Sequence, residues 1–65
     1  MCEANVYYAG EDGKEEMIME EVDLIIPQED GSYMIKGICG NQKFIEGEIQ
    51  EISLLNHKIV FKGNP

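Results

Sequence analysis

Val22-Asp23-Leu24-Ile25-Ile26-Pro27-Gln28-Glu29-Asp30-Gly31-Ser32-Tyr33-Met34-Ile35 reads as strand, turn and strand, and this stretch decides the fold class. Val, Ile and Tyr suit a pleated, half-buried surface. Pro27 cannot donate to a ladder, so the first run stops there. Asp30-Gly31 is the dipeptide that tight hairpin turns favour. The second run continues as Tyr33-Met34-Ile35-Lys36-Gly37-Ile38-Cys39 and breaks at Gly40-Asn41.

Working outward, the same grammar recurs. Upstream, Cys2, Ala4, Val6 and Tyr8 alternate with Asn5 and Tyr7 over residues 2–9, and Gly10-Glu11-Asp12-Gly13 follows as a second Asp-Gly turn. Met17-Ile18-Met19 makes a short strand. A helical turn within residues 14–22 is the competing reading, because Glu and Met are good helix formers. The β-branched Val22, Ile25 and Ile26, stopped by Pro27, argue against a long helix. Downstream, Phe44–Ile49 points Ile45 and Ile49 one way and Glu46 and Glu48 the other. Ile52 and Leu54 fall out of that phase, which predicts a bulge or bend near Gln50-Glu51. Asn56-His57 reads as a tight turn before the last strand, Lys58–Lys62. The expected fold is therefore all-β: one domain, residues 1–65, forming a small antiparallel SH3-like barrel of about six short strands.

Composition narrows the function. A chain of 65 residues buries only about 60% of its unfolded surface, so self-association is an expected source of extra stability. Cys2 and Cys39 allow at most one bridge, no signal peptide is recognisable, and no apolar run is long enough to cross a bilayer. A cytoplasmic location with free thiols is the expectation. Thirteen acidic residues stand against five basic ones, all Lys, giving a formal net charge of −8. That surface repels polyanions and lacks the Arg of phosphate recognition, which disfavours nucleic-acid binding. Neither a Ser/His/Asp set nor a phosphate-binding glycine loop is present. Glu46 and Glu48 share a strand face without an acid–base partner. The chain reads as a non-enzyme.

Cys2 is the residue with chemistry to offer. Removal of Met1 would leave an α-amine and a thiol on one residue, which close a five-membered chelate ring around a metal. The Glu3 backbone amide can close a second ring. Such N,S donors suit square-planar Ni(II) or Cu(II). One residue supplies few donors, and a two-fold homodimer that brings two Cys2 together would supply the rest. The plainer reading makes Cys2 a small hydrophobe on the face of Val6. Cys39 and His57 are further ligand candidates, with Cys39 otherwise expected in the core of its strand and His57 in a solvated turn. Neither CxxC nor HxxxH occurs, so a zinc site of the usual spacing is not indicated.

Three segments together resemble a known family. Met1-Cys2-Glu3-Ala4-Asn5-Val6-Tyr7, Met17-Ile18-Met19-Glu20-Glu21-Val22, and Glu46-Gly47-Glu48-Ile49-Gln50-Glu51-Ile52 with Asn56-His57-Lys58-Ile59-Val60 look like the CooT-type small nickel-binding proteins. The resemblance covers nearly the whole chain. It implies a homodimeric all-β protein that binds nickel at Cys2 and supplies it to carbon monoxide dehydrogenase. Cys39 departs from the pattern, standing where an aromatic residue is expected before the glycine. Two other readings remain open: a metal-free protein-interaction module that recruits a partner along exposed strand edges, and an RNA-binding small barrel, which the charge disfavours.

Overall fold

The computed structural model describes residues 3–63. It contains β1 (Ala4–Ala9), β2 (Glu15–Pro27), β3 (Ser32–Gly37), β4 (Gln42–Glu46), β5 (Glu48–Ser53) and β6 (Lys58–Lys62). All six belong to one sheet, in the order β4-β3-β2-β1-β6-β5. The all-β expectation holds, and no helix occurs among the described residues.

Two strand assignments change. The short strands expected at 17–19 and 22–26 are one 13-residue strand, β2. Its first half pairs with β1, from Ala9↔Glu15 to Ala4↔Val22, and its second half pairs with β3, from Val22↔Gly37 to Pro27↔Tyr33. Register shifts near Ile18, Glu20-Glu21 and Asp23 let it bend between these partners without ending. Conversely, the single strand expected at 44–49 is split at Gly47, whose φ of +140° no side-chain-bearing residue adopts easily. The predicted irregularity near Gln50-Glu51 is present as a register shift between Ile49 and Glu51.

The pairing is not wholly antiparallel. β1 and β6 run parallel, from Asn5↔Lys58 to Ala9↔Lys62. The reason is topological. The chain reverses at four hairpins but passes from β4 to β5 at Gly47 without reversing, and an even number of reversals returns β6 in the direction of β1. Gly47 therefore joins the two edge strands of the sheet, which do not pair with each other. The sheet is thus left open between β4 and β5, and the expected closed barrel is not formed. At the corner, a Cβ on Gly47 would lie 2.8 Å from both Gly63 Cα and the Lys62 carbonyl oxygen.

Three hairpins use one turn. Gly10–Lys14, Gln28–Ser32 and Gly37–Asn41 each close with the first residue's N–H donating to the fifth residue's carbonyl, at 2.8 to 2.9 Å. In each, the fourth residue is a glycine that donates back to the first carbonyl and carries φ between +81° and +92°. This is a type I turn closed by a left-handed glycine. Inside the sheet, Val6, Met19, Val22, Ile35, Ile45 and Phe61 form the buried cluster. Phe61 is fully buried with the Tyr33 ring tilted against it at 5.1 Å. Burial of such a ring contributes about 1.5–3 kcal/mol, a large share for a core this small.

Candidate metal centre at the start of β1

The first residues of β1 are held from both sides. Ala4 stands opposite Val22 of β2, and Val22 stands opposite Gly37, where the turn carrying Cys39 begins. On the other side Asn5 stands beside Lys58, and its N–H donates to the His57 carbonyl at 2.8 Å. His57 ends the Leu54–His57 turn, its own N–H donating to the Leu54 carbonyl at 3.3 Å, and it takes a left-handed φ of +52° to do so.

Asn5 also works through its side chain. Its Oδ1 accepts the N–H of Glu21 at 3.3 Å, and the Glu21 carbonyl accepts the N–H of Ile38 at 2.9 Å. Glu21 sits at φ +55°, a conformation that disfavours residues with a Cβ by roughly 1–2 kcal/mol. One asparagine thus links β1 to the bend of β2, and through that bend to the turn holding Cys39. Sequence reasoning placed Asn5 on the outer face of a strand and missed this role. The signal available was Asn within an otherwise apolar strand, a residue suited to bonding nearby backbone.

Cys2, the principal metal-ligand candidate, lies outside the described residues. Glu3, whose backbone amide is the second candidate donor, is partly buried. It lines a pocket of about 230 Å³ together with Ala4, Ile52, Leu54, His57 and Ile59. His57 therefore shares a pocket with the residue that follows Cys2. Cys39 does not. It is exposed in the β3–β4 turn instead of buried in an apolar strand, because β3 ends at Gly37 and the turn consumes Ile38 and Cys39. It opens onto a different groove, of about 390 Å³, with Ile18, Glu20, Glu21 and Lys43.

Among the described residues no three His, Cys, Asp or Glu side chains converge on a point. Beside the pocket, Lys58 Nζ pairs with Glu15 Oε1 at 2.7 Å and lies 5.2 Å from the centre of the Tyr7 ring. The Glu15 hydrogen bond raises the Lys58 pKa, with smaller help from Glu51 and Tyr7, so this ammonium stays charged and is already engaged.

Comparison with known proteins agrees with the sequence resemblance. The family described as CO dehydrogenase accessory protein CooT matches residues 1–62. A crystal structure from Carboxydothermus hydrogenoformans, described as CooT, superposes with a TM-score of 0.87 at 34% sequence identity, covering 98% of this chain and 100% of that one. No match was found among curated proteins. Among the described residues no helix is long and apolar enough to cross a membrane.

Proposed function

The chain belongs to the CooT family of carbon monoxide dehydrogenase accessory proteins, and from that premise we propose that it binds Ni(II) at Cys2 and supplies it to that enzyme. As a member of this family it is an accessory protein and not a catalyst. In the proposed site the Cys2 thiolate and α-amine chelate the metal, and the Glu3 amide closes a second ring. A homodimer two-fold brings two such sets together in the cytoplasm. The observation that carries the reading is the family match extending from residue 1, so that Cys2 falls within it, followed at once by a Glu3 seated in the pocket with His57.

Removal of Met1 is required, because the α-amine must be free. Copper binds such donors more tightly than nickel in principle, so selection of nickel rests on availability. The test is a Ni(II) titration of protein whose intact mass confirms loss of Met1, beside Cys2→Ala. Thiolate charge-transfer absorption that saturates near one nickel per two chains and vanishes in the variant supports the site. Identical behaviour of the two proteins would remove it.

A second reading has its own observation. Edge strand β4 leaves Phe44 65% exposed, as a surface that recruits a partner strand would. In that case binding to the dehydrogenase survives Cys2→Ala and is lost in Phe44→Asp.

A further inference from the structure

Charge is not spread evenly along this chain. Residues 31–45, which span β3, the turn after it and most of β4, hold two of the five lysines and none of the thirteen carboxylates. This hairpin therefore carries a formal +2, and the three lysines and thirteen carboxylates elsewhere leave the rest of the chain at −10. Neither Lys36 nor Lys43 is neutralised: among the described residues the ion pair is that of Lys58 with Glu15. Lys43 shares its groove with Glu20 and Glu21 but pairs with neither. The same hairpin is apolar on its outer face. Ile26, Met34 and Phe44 are cross-strand neighbours in one row over β2, β3 and β4, and Leu24, Lys36 and Gln42 form the next row. Phe44 is 65% exposed, Leu24 45% and Ile26 41%. Contiguous apolar side chains left in water mark a contact surface.

The backbone of β4 is open beside that face. The Gly37 N–H donates to the Asn41 carbonyl at 2.8 Å. This bond sets the phase of the β3–β4 ladder, in which Ile35 with Lys43 and Tyr33 with Ile45 exchange hydrogen bonds. Gln42, Phe44 and Glu46 therefore turn their N–H and C=O groups away from β3. The Glu46 carbonyl has the Tyr8 hydroxyl there, in keeping with that phase. The outward groups of Gln42 and Phe44 have no backbone partner among the described residues. Free ladder groups beside an apolar row are what strand addition uses.

We propose that the β4 edge takes up an extended segment of a partner polypeptide that mixes apolar and acidic residues. An apolar side chain of the added strand lies beside Phe44. A carboxylate two residues along lies beside Gln42, within reach of the long Lys36 side chain. A second copy of this chain does not fit, because two β4 edges would set Lys36 and Lys43 against their own images. Nucleic acid needs more cations than two lysines without an arginine provide. The remaining surface, at −10, repels an acidic partner and so confines it to this hairpin. The inference rests on the edge-strand reading above and gives that edge its ligand. It puts the contact at the opposite end of the strand order from β6 and β5.

The experiment titrates the isotope-labelled full chain with short capped peptides at physiological salt and follows the backbone amide resonances. One peptide repeats Val-Thr-Glu-Thr, and its neutral counterpart repeats Val-Thr-Gln-Thr. Both are expected to move the Gln42 and Phe44 amides, the glutamate peptide binding about threefold more tightly, as a surface ion pair allows. Lys36→Glu is expected to reverse that preference, and Phe44→Asp to weaken both peptides by about tenfold or more. Far-UV circular dichroism controls for folding, and Lys36→Glu tests the charge without touching the core. Gln42 and Phe44 amides that stay still overturn the inference, as does a preference for glutamate that survives Lys36→Glu. An oligouridine RNA that moves the same amides as tightly overturns it in favour of nucleic acid. The edge-strand reading is tested apart, by binding of carbon monoxide dehydrogenase to wild type and Phe44→Asp. Loss of that binding, with no preference for glutamate among the peptides, keeps the edge and removes the acidic ligand.

Discussion

Tyr8 and Glu46 are 38 residues apart in sequence, yet the Tyr8 hydroxyl donates to the Glu46 carbonyl at 3.0 Å. That bond ties β1, at the centre of the sheet, to the last residue of edge strand β4. It is the side-chain counterpart of a ladder that the curled sheet leaves open. Tyr8→Phe keeps the ring and removes the bond. The expected loss is about 1 kcal/mol, read as a lower urea midpoint with an unchanged slope. An unchanged midpoint would mean that water replaces the bond without penalty.

The neighbouring corner is less forgiving. A Cβ at Gly47 meets backbone atoms of Lys62 and Gly63 at 2.8 Å, and the φ of +140° is unfavourable for any L side chain. Gly47→Ala should destabilise by more than Tyr8→Phe, about 2–3 kcal/mol or beyond. Thermal unfolding of the two variants in parallel checks the ranking.

Strain at Glu21 gives the opposite sign. Its left-handed backbone is held by Asn5 Oδ1 and by the Ile38 N–H. Glu21→Gly relieves the conformation and is expected to stabilise by up to about 1 kcal/mol after the entropy penalty of glycine. Asn5→Ala is expected to destabilise by about 1 kcal/mol. A destabilised Glu21→Gly would show that the carboxylate side chain does more here than the backbone geometry suggests.

Acid should unfold the protein partly through Asp30. The Ser32 hydroxyl donates to Asp30 Oδ1 at 2.7 Å and the Ser32 N–H at 3.0 Å, and these bonds hold the Asp30 pKa below its ordinary value. A carboxyl depressed on folding contributes stability that is present above its unfolded pKa and lost as pH falls through the folded one. Asp30→Asn keeps an acceptor for Ser32 but does not titrate. Its urea midpoint should therefore fall less than that of wild type on acidification. Lys58 works in reverse: its pKa is raised by Glu15, so its contribution is held at neutral pH and lost as pH climbs above the ordinary lysine range through the raised value.

Nickel affinity should climb with pH in the Met1-trimmed protein. The amine and thiol titrate near 8 and 8.5 when unperturbed; both must release a proton to bind, and the Glu3 amide nitrogen releases a third when it closes the second ring. Below those values the apparent affinity is expected to rise by up to about a thousandfold per pH unit, or about a hundredfold if the amide stays protonated and unbound. Isothermal titration at three pH values, in buffers of differing ionisation heat, counts the protons released. A slope near zero would exclude the amine–thiolate chelate.

Much of this architecture was legible because its turns are chemically explicit. Asp12-Gly13 and Asp30-Gly31 announce their hairpins, and Asn56-His57 sits inside the turn expected there. The reading faltered in β2 for a physical reason. The residues turned to the interior there are Ile18, Met19, Val22 and Ile25, a spacing that imitates a helix face because each bulge shifts the alternation by one. At Ile38-Cys39 an apolar run continued past the point where the ladder stops, which made an exposed thiol look like a core residue. The parallel β1–β6 pair left no local trace, since it follows from counting reversals across the whole chain. Of the candidate site, residue type alone marked Cys2, while the company of Glu3 and His57 in one pocket required the fold.

That parallel pair also fixes an order of events in the making of the protein. β1 acquires its second neighbour only when Lys58–Lys62 has left the ribosome, and contacts between the two ends of a chain are the slowest to form. β1 is therefore made well before the strand that completes its pairing, and its parallel ladder is among the last to form. The pocket shared by Glu3, His57 and Ile59 likewise exists only once both ends of the described chain are in place.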